Sequence, residues 1–493
     1  MLKILTTSQI KELDAYTIKH EPIPSIDLME RACVACCSWI TSKFKSSKKI
    51  GVVCGPGNNG GDGLGIARLL SQKGYRVTVW MVNERDKTSE DFKINKSRLP
   101  KHIELNEVKK SHSPDFSQVD VLIDALFGSG LTRPVEGIYE VVIKSMNNVS
   151  AARVAIDIPS GLMSDSVSTG AIVCAEHTLT FQLPKLAFMM SDNSGFIGEW
   201  VKLDIGLNKE YIKSADTKNF LLTLQSVRKK IKSRDKFSHK GDYGAGLLIA
   251  GATGKMGACV LSSRAALRSG IGLLTVHVPG NGYSIIQSSV PEAMALIDPD
   301  KNQFSACPDV ANFDTVGIGP GIGQSDISAK ALLQVIEKCT SPMVIDADGL
   351  NLLAVHREGL TILPAGTILT PHPKEFDRLA GESKNDFERL EKAKALSTST
   401  KCVIILKGAH SAIVLPTGKI YFNNTGNPGM ASGGSGDVLT GILTALLAQG
   451  YSPEDAALLG TFVHGRAGDL AANQKGPIGM IASDIIEWLP VGL

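Results

Sequence analysis

No apolar run in this sequence is long enough to cross a bilayer. The longest near its end, DVLTGILTALLAQG, is short and interrupted, whereas a transmembrane helix needs about 20 consecutive apolar residues. The opening, MLKILTTSQIKELDAYTIKHE, has neither the apolar centre nor the small-residue cleavage site of a signal peptide. A cytoplasmic chain with no membrane partner is therefore expected. Strong charge of one sign is also missing: a net charge of +3 gives little grip on a phosphate backbone, so no nucleic-acid partner is expected. The nine cysteines are odd in number and lack framework spacing, which excludes a disulfide scaffold and suits a reducing compartment. No internal repeat or low-complexity tract is present.

What remains is a globular composition in a chain of 493 residues, too long for one ordinary core, so two or three domains are expected. The cluster CVACC (Cys33, Cys36, Cys37) is followed by no second Cys or His pair at ligand spacing. Cys33 and Cys37 lie four apart, the spacing of a buried small-residue stripe on a helix. Apolar β-branched runs alternate with helical patterns throughout, from KIGVVCG, YRVTVWMV, DVLIDALFG, ARVAIDIPSG and HTLTFQL to AGLLIAG, GLLTVHVP, FDTVGIGPG, PMVIDADGL, GTILTPHP and CVIILKG. That order predicts an α/β fold with buried parallel strands and helical crossovers. Between Ser226 and Gly241 seven Lys or Arg residues accompany a single Asp. This run is read as a solvated linker or helix face rather than a phosphate patch, with the boundary between domains 1–225 and 226–493.

The stretch VVCGPGNNGGDGLGIARLLSQKGYRVTVWMVNE reads strand, glycine turn, helix, strand. It contains G-x-G-x-x-G from Gly55 to Gly60 and ends on an acid, Glu84. A bare dinucleotide cradle presents only backbone N–H groups to a pyrophosphate. Here Asn58, Asn59 and Asp62 stand in the same loop, and a carboxylate there repels phosphate unless a cation or donor-rich partner balances it. The asparagines suit a monovalent cation, or a ribose and amide group. Two further strand ends share the character: Asp124 before Gly128, Ser129 and Gly130, and Asp157 before Ser160. Each Asp alone is as readily a turn former, but three such ends outside the carboxyl edge of one sheet make a pocket.

GPGNNGGDGLGIARLL, DALFGSGL and DIPSGL, with LMERAC in the first helices, resemble the NAD(P)H-hydrate epimerase family, the YjeF N-terminal domain, over roughly residues 1–215. The resemblance implies a Rossmann-like three-layer fold. It implies that Asn58, Asn59, Gly60, Gly61, Asp62, Gly128, Ser129, Gly130, Leu131, Thr132, Arg133 and Pro134 line a hydrated dinucleotide. Asp157 would contact it and assist proton transfer, and Asn59, Asp124 and Ser160 would hold K⁺.

The densest signal of the second half is NNTGNPGMASGGSGDVLTGILTALLAQG. Gly433 to Gly436 lead into an apolar helix with Asp437 at its start, so backbone N–H groups and the helix terminus form an anion hole. Asp437 can take a proton from a hydroxyl while the hole, with Mg²⁺, balances a transferring phosphoryl group. Lys407 and Gly408 end a strand where a nucleotide phosphate could lie. His372, between two prolines, can serve as a contact or simply as a structural residue. The turns Gly317 to Gly323 and Asp346 with Asp348 face the same way, and the small residues around Ala258 permit close approach or tight packing.

GIGPGIG, DADGLN, TPHPKEF, LKGAHSAI and GSGD resemble the NAD(P)H-hydrate dehydratase branch of the ribokinase-like superfamily, over approximately residues 230–493. That resemblance implies AMP or ADP binding at Lys407, Gly408, Ala409, His410, Ser411 and Gly436. It implies hydrate contacts from Ala258, Gly321, His372 and Asp437. The fused order resembles prokaryotic bifunctional repair enzymes, with ADP as donor and ATP as the alternative. Expected partners are hydrated NADH and NADPH, ADP, and further copies in a homo-oligomer. The competing readings are a ribokinase-like vitamin or sugar kinase, a non-catalytic nucleotide-responsive scaffold and, weakest, a dehydrogenase.

Overall fold

The computed structural model describes residues 1–83, 87–108 and 113–491; Glu84 lies outside them. Two compact units divide the chain, Leu2–Thr217 and Lys218–Leu493. The second begins before residue 226 because the strand Asn219–Leu221 pairs in parallel with Ile420–Asn423.

The first unit carries seven parallel strands in the order Glu104–Val108, Arg76–Val82, Lys49–Cys54, Val121–Ala125, Ala152–Ile156, His177–Phe181, Glu199–Leu203. Side chains alternate across each strand. Val52 therefore packs with Cys33, Cys37 and Ile40 on one face. Val53 packs with Trp80, Val142 and Met146 on the other. Helices cover both faces, giving three layers. The helix Asn58–Gln72 buries Gly60, Gly61, Gly63 and Gly65, although each glycine in a helix interior costs about 1 kcal/mol relative to alanine. Close packing is the return: a Cβ on Gly63 would stand 2.7 Å from Ala125 Cβ, and one on Gly65 only 2.4 Å from Cys33 Sγ. The CVACC cysteines are thus buried core beside this helix, as their spacing predicts.

In the second unit the order is Asn219–Leu221, Ile420–Asn423, Ser411–Val414, Val403–Leu406, Ile368–Leu369, Met343–Ile345, Thr315–Ile318, Ala245–Ile249, Leu273–Val278, Met294–Ile297. This sheet is mixed rather than wholly parallel, because Ser411–Val414 runs antiparallel to both its neighbours. A four-residue link, Lys407 to His410, is too short for a helical crossover, so the chain turns back as a hairpin. The basic run 226–241 is also no loose linker. Lys230 pairs with Asp455. Lys232 Nζ donates to the carbonyls of Gln449 and Gly450 and lies over the Tyr451 ring. Arg234 donates to the Gly270 carbonyl and stacks on Tyr243. No helix among the described residues is long and apolar enough to cross a membrane.

Candidate active sites

Strand order reverses direction twice, at Lys49–Cys54 in the first sheet and at Ala245–Ile249 in the second. Ligands of open α/β sheets bind outside the carboxyl ends of strands. The first candidate site lies at the switch point itself, and the second runs along the carboxyl ends of the strands from Thr315–Ile318 to Val403–Leu406, beside its switch point.

In the first, Asp124 ends a fully buried strand. Its Oδ1 accepts from Ser160 Oγ at 2.6 Å and Leu126 N at 3.2 Å, and its Oδ2 accepts from Ser160 N at 2.7 Å. Burial nevertheless pushes the carboxyl up to about 6, against those hydrogen bonds. Ser160 Oγ also accepts from Phe127 N at 2.8 Å. Beside them Asn59 is 8% exposed, and neither its Oδ1 nor its Nδ2 has a partner among the described residues. A buried amide left unsatisfied costs about 1–3 kcal/mol per group, so the pocket is built for something that supplies a donor or cation and an acceptor.

Asp157 follows the next strand in a left-handed backbone conformation, φ +66°. Its Oδ2 accepts from Ser129 N at 3.2 Å and its Oδ1 pairs with Lys185 Nζ at 2.8 Å. Burial opposes its charge, but Lys185 and the Ser129 N–H hold the carboxyl below the ordinary range. Gly128 faces both Asn59 and Asp157: a Cβ there would lie 3.5 Å from Asn59 Cβ and 3.6 Å from Asp157 Oδ2. Asp62 is buried too, and burial with the charges of Asp157, Asp14 and Asp91 pushes it well up. Asn59, Asp62, Gly128, Ser129, Asp124, Asp157 and Ser160 thus gather, whereas Gly60 packs on the Gly55 backbone and Gly61 on Met29 and Phe92. Asn58 and the outer loop residues Gly130, Thr132, Arg133 and Pro134 are exposed, with Leu131 intermediate.

Two members of this pocket escape sequence reasoning, Lys185 and Asp14. Lys185 is 1% exposed and donates to Thr180 Oγ1 at 3.0 Å besides its ion pair. The available signal was a lysine directly after a buried strand in the apolar context FQLPKLAF.

In the second site, Asp437 lies in the first turn of the helix Ser435–Ala448, which is buried along its length. Gly434 precedes it at φ +92°. Burial, then repulsion from Asp346, push Asp437 up to about 6, with Lys407 opposing. Lys407 Nζ lies 2.8 Å from Asp346 Oδ1 and 3.8 Å from Glu375 Oε2. Burial opposes its ammonium, but these carboxylates hold its pKa above the ordinary value. Gly436 sits against the pair: a Cβ there would lie 3.5 Å from Lys407 Nζ and 3.6 Å from Asp346 Oδ2. Thr440 Oγ1 donates to that same Asp346 oxygen at 2.8 Å. Gly408 N donates to Ser411 Oγ at 3.3 Å, closing the turn that holds Ala409 and His410. His410 Nδ1 is buried without a partner, and burial lowers its pKa.

Gly321 adopts φ +66° and faces Ala258, whose Cβ would be 3.4 Å from one added there. His372 caps the helix Pro373–Ala380: its Nδ1 accepts from Glu375 N at 3.3 Å, and its own N–H donates to Glu375 Oε2. Its structural role is therefore plain, and its Nε2 edge stays partly exposed. Sequence reasoning sees Asp346 only as a turn and does not see Glu375 or Thr440, which complete the environment of Lys407.

A polar pocket in one doubly wound unit, and a half-buried acid at a glycine-rich helix start in the other, are the two candidate centres of an α/β enzyme. Residues 246–491 match the family described as NAD(P)H-hydrate dehydratase, and residues 25–187 match the YjeF-related protein N-terminus. The bifunctional NAD(P)H-hydrate repair enzyme Nnr of Moorella thermoacetica is 34% identical over 513 residues, covering 99% of this chain and 96% of that protein. Its Escherichia coli K12 counterpart is 35% identical over 469 residues, 94% and 88% of the two chains. A crystal structure of a ribokinase-like superfamily protein from Enterococcus faecalis superposes with TM-score 0.50 at 26% identity, covering 56% of this chain and 96% of that one. The chain belongs to the family of bifunctional NAD(P)H-hydrate repair enzymes.

Proposed function

We propose that the chain repairs hydrated NADH and NADPH, the first unit interconverting the R and S hydrates and the second dehydrating the S form with ADP as phosphoryl donor. The carrying observation is Asp437, half-buried in the first turn of an apolar helix behind Gly433 to Gly436 and close to Lys407. Hydroxide is a poor leaving group. Asp437 takes the proton of the C6 hydroxyl as its oxygen attacks the terminal phosphorus of ADP, releasing AMP. Phosphate then departs from C6 while the adjacent C5 gives up a proton to solvent, and reduced nicotinamide remains. The anion-hole amides and Lys407 face the phosphates, and a carboxylate pKa near the working pH makes Asp437 a better base than an exposed one. Mg²⁺ accompanying the nucleotide would neutralise phosphate charge. Among the described residues no cluster of three His, Cys, Asp or Glu forms a dedicated cage, which fits an ion held mainly by phosphates and water.

In the first unit, Asp157 with Lys185 lies where the nicotinamide would react, and Asn59, Asp124 and Ser160 are the residues for K⁺. They suit it: Asn59 Oδ1 is a buried oxygen without a donor, and Asp124 is a buried carboxyl without a cation. K⁺ there would supply a positive charge beside Asp124, whereas the buried Lys185 is engaged by Asp157.

The test is recovery of reduced-nicotinamide absorbance from mixed epimers with ADP, ATP or no nucleotide. Complete recovery with ADP is expected, and Asp437→Ala should abolish it while R and S still interconvert. Full turnover by Asp437→Ala would remove it as the base. A stable phosphorylated product would favour a small-molecule kinase.

A further inference from the structure

The family match to the first unit begins at residue 25 and leaves out the helix Thr7–His20. That helix is nonetheless fastened to the pocket loop. Thr7 N donates to Asp165 Oδ2 at 2.8 Å and Thr7 Oγ1 to the Ser129 carbonyl at 3.1 Å. One turn on, Lys11 Cε and Nζ lie 3.7 Å from where a Cβ on Gly130 would stand. A further turn brings Asp14 close enough to Asp157, Lys185 and Asp62 for these charges to act on one another. Positions 7, 11 and 14 share one helical face. The adjoining face locks the helix in this orientation. Leu13 packs with Leu28, Leu183 and Leu207, and buried Thr17 accepts from Asn208 N at 3.0 Å.

We infer that the helix Thr7–His20 is a wall of the epimerase pocket, with Lys11 contacting a phosphate of the hydrated dinucleotide and Asp14 hydrogen-bonding its nicotinamide head beside Asp157. The inference rests on the epimerase reading. Charge makes the case for Lys11. Lys185, the pocket's buried ammonium, is already paired with Asp157, and the ionised fraction of Asp14 has no ion pair of its own among the described residues, so the pocket alone would repel a pyrophosphate. Lys11 makes no ion pair or hydrogen bond among the described residues and stands exposed over the Gly130 loop, where it can answer that repulsion. For Asp14, burial and the nearby Asp157 push its carboxyl up to about 7, with Lys185 opposing. A fraction therefore carries a proton at neutral pH and can donate to a carboxamide or hydroxyl oxygen.

The experiment follows interconversion of R and S hydrates by chromatography, in the full chain without nucleotide, so that the second site is silent. Lys11→Ala should raise KM about tenfold and leave kcat within about twofold, and Lys11→Arg should restore most of the loss. Asp14→Ala, which removes the donor, should lower kcat about tenfold or more with little change in KM and an unchanged thermal midpoint. Wild-type kinetics in either variant would overturn its role. Losses that track a lowered midpoint, without rescue by Lys11→Arg, would reduce the helix to a structural prop and also overturn the inference. If the unaltered chain does not interconvert the epimers, the epimerase reading itself fails and takes the inference with it.

Discussion

Lys185 Nζ and Asp157 Oδ1 stand 2.8 Å apart with side chains 1% and 12% exposed, on chain that leaves two adjacent parallel strands. Asp157 reaches the ammonium through a left-handed backbone, a conformation that costs an L-residue roughly 1–3 kcal/mol and persists only where its surroundings impose it. Here Asp157 N donates to the Leu179 carbonyl at 2.7 Å, and the carboxylate is held at both oxygens. The strain thus aims a charged group into the pocket, and the same carboxylate orders the Gly128–Ser129 loop.

Lys185→Met tests what the pair does. It strands a buried carboxylate, for which the expected loss of stability is about 3–5 kcal/mol, read by denaturant unfolding, and it should abolish epimer interconversion. Asp157's pKa is depressed in the fold, so the pair's contribution is present above the ordinary carboxylate value and lost as pH falls through the lower folded one. Lys185→Met should flatten that acid dependence. Adding Asp157→Asn should restore part of the stability and none of the activity. A single variant as stable as the wild type would mean that the ammonium adds nothing net.

How much of this was legible follows from where each residue sits in the chain. Asp124, Asp157 and Asp437 announce themselves because a polar residue interrupts an apolar run where a strand ends or a helix begins. The alternation of apolar runs and helical patterns gives the α/β class for the same local reason. Lys185 carries only a weak mark, a lysine in an apolar context four residues past a strand, and its partner is set by the pairing of neighbouring strands, which no local pattern encodes. Glu375 reads as an ordinary helix residue, yet it is 6% exposed and joins both His372 and Lys407. The basic run at 226–241 is largely exposed, as a solvated run should be, but linear charge density does not show which carbonyls and rings its cations meet.

Asn59 trades stability for function. Its two buried, unpartnered polar atoms are a cost in the ligand-free protein, so Asn59→Ala should hold or raise stability by up to about 1–2 kcal/mol in buffer lacking K⁺. The same change should abolish any rise in thermal midpoint on adding KCl in place of choline chloride, and reduce epimer interconversion at least about tenfold. A wild-type response to K⁺ in the variant would take Asn59 out of the cation site.

Gly60 carries a steric prediction. A Cβ there would stand 1.8 Å from the Gly55 carbonyl oxygen, backbone that cannot yield as a side-chain tip can. Gly60→Ala should therefore destabilise the first unit by about 1–3 kcal/mol despite alanine's better helix propensity. Epimer interconversion should fall with it, while dehydration of S hydrate by the same chain continues. Equal stability, measured by unfolding, would show that the loop shifts aside freely.

Asp437 should set the acid limb of dehydration. As the base it must be ionised, and burial with the repulsion of Asp346 raises its pKa to about 6. Thus kcat/KM for S hydrate should fall as pH drops through about 6 and level off above it. Asp346→Asn removes the repelling charge and frees Lys407 to act on Asp437, and both changes favour the carboxylate. The limb should accordingly move to lower pH, although burial, the larger cause of the shift, remains and keeps it above the ordinary value. The same variant weakens the hold on Lys407 and should raise the apparent KM for ADP. A limb unmoved in Asp346→Asn, or moved upward, would show that the group titrating in the profile is not Asp437.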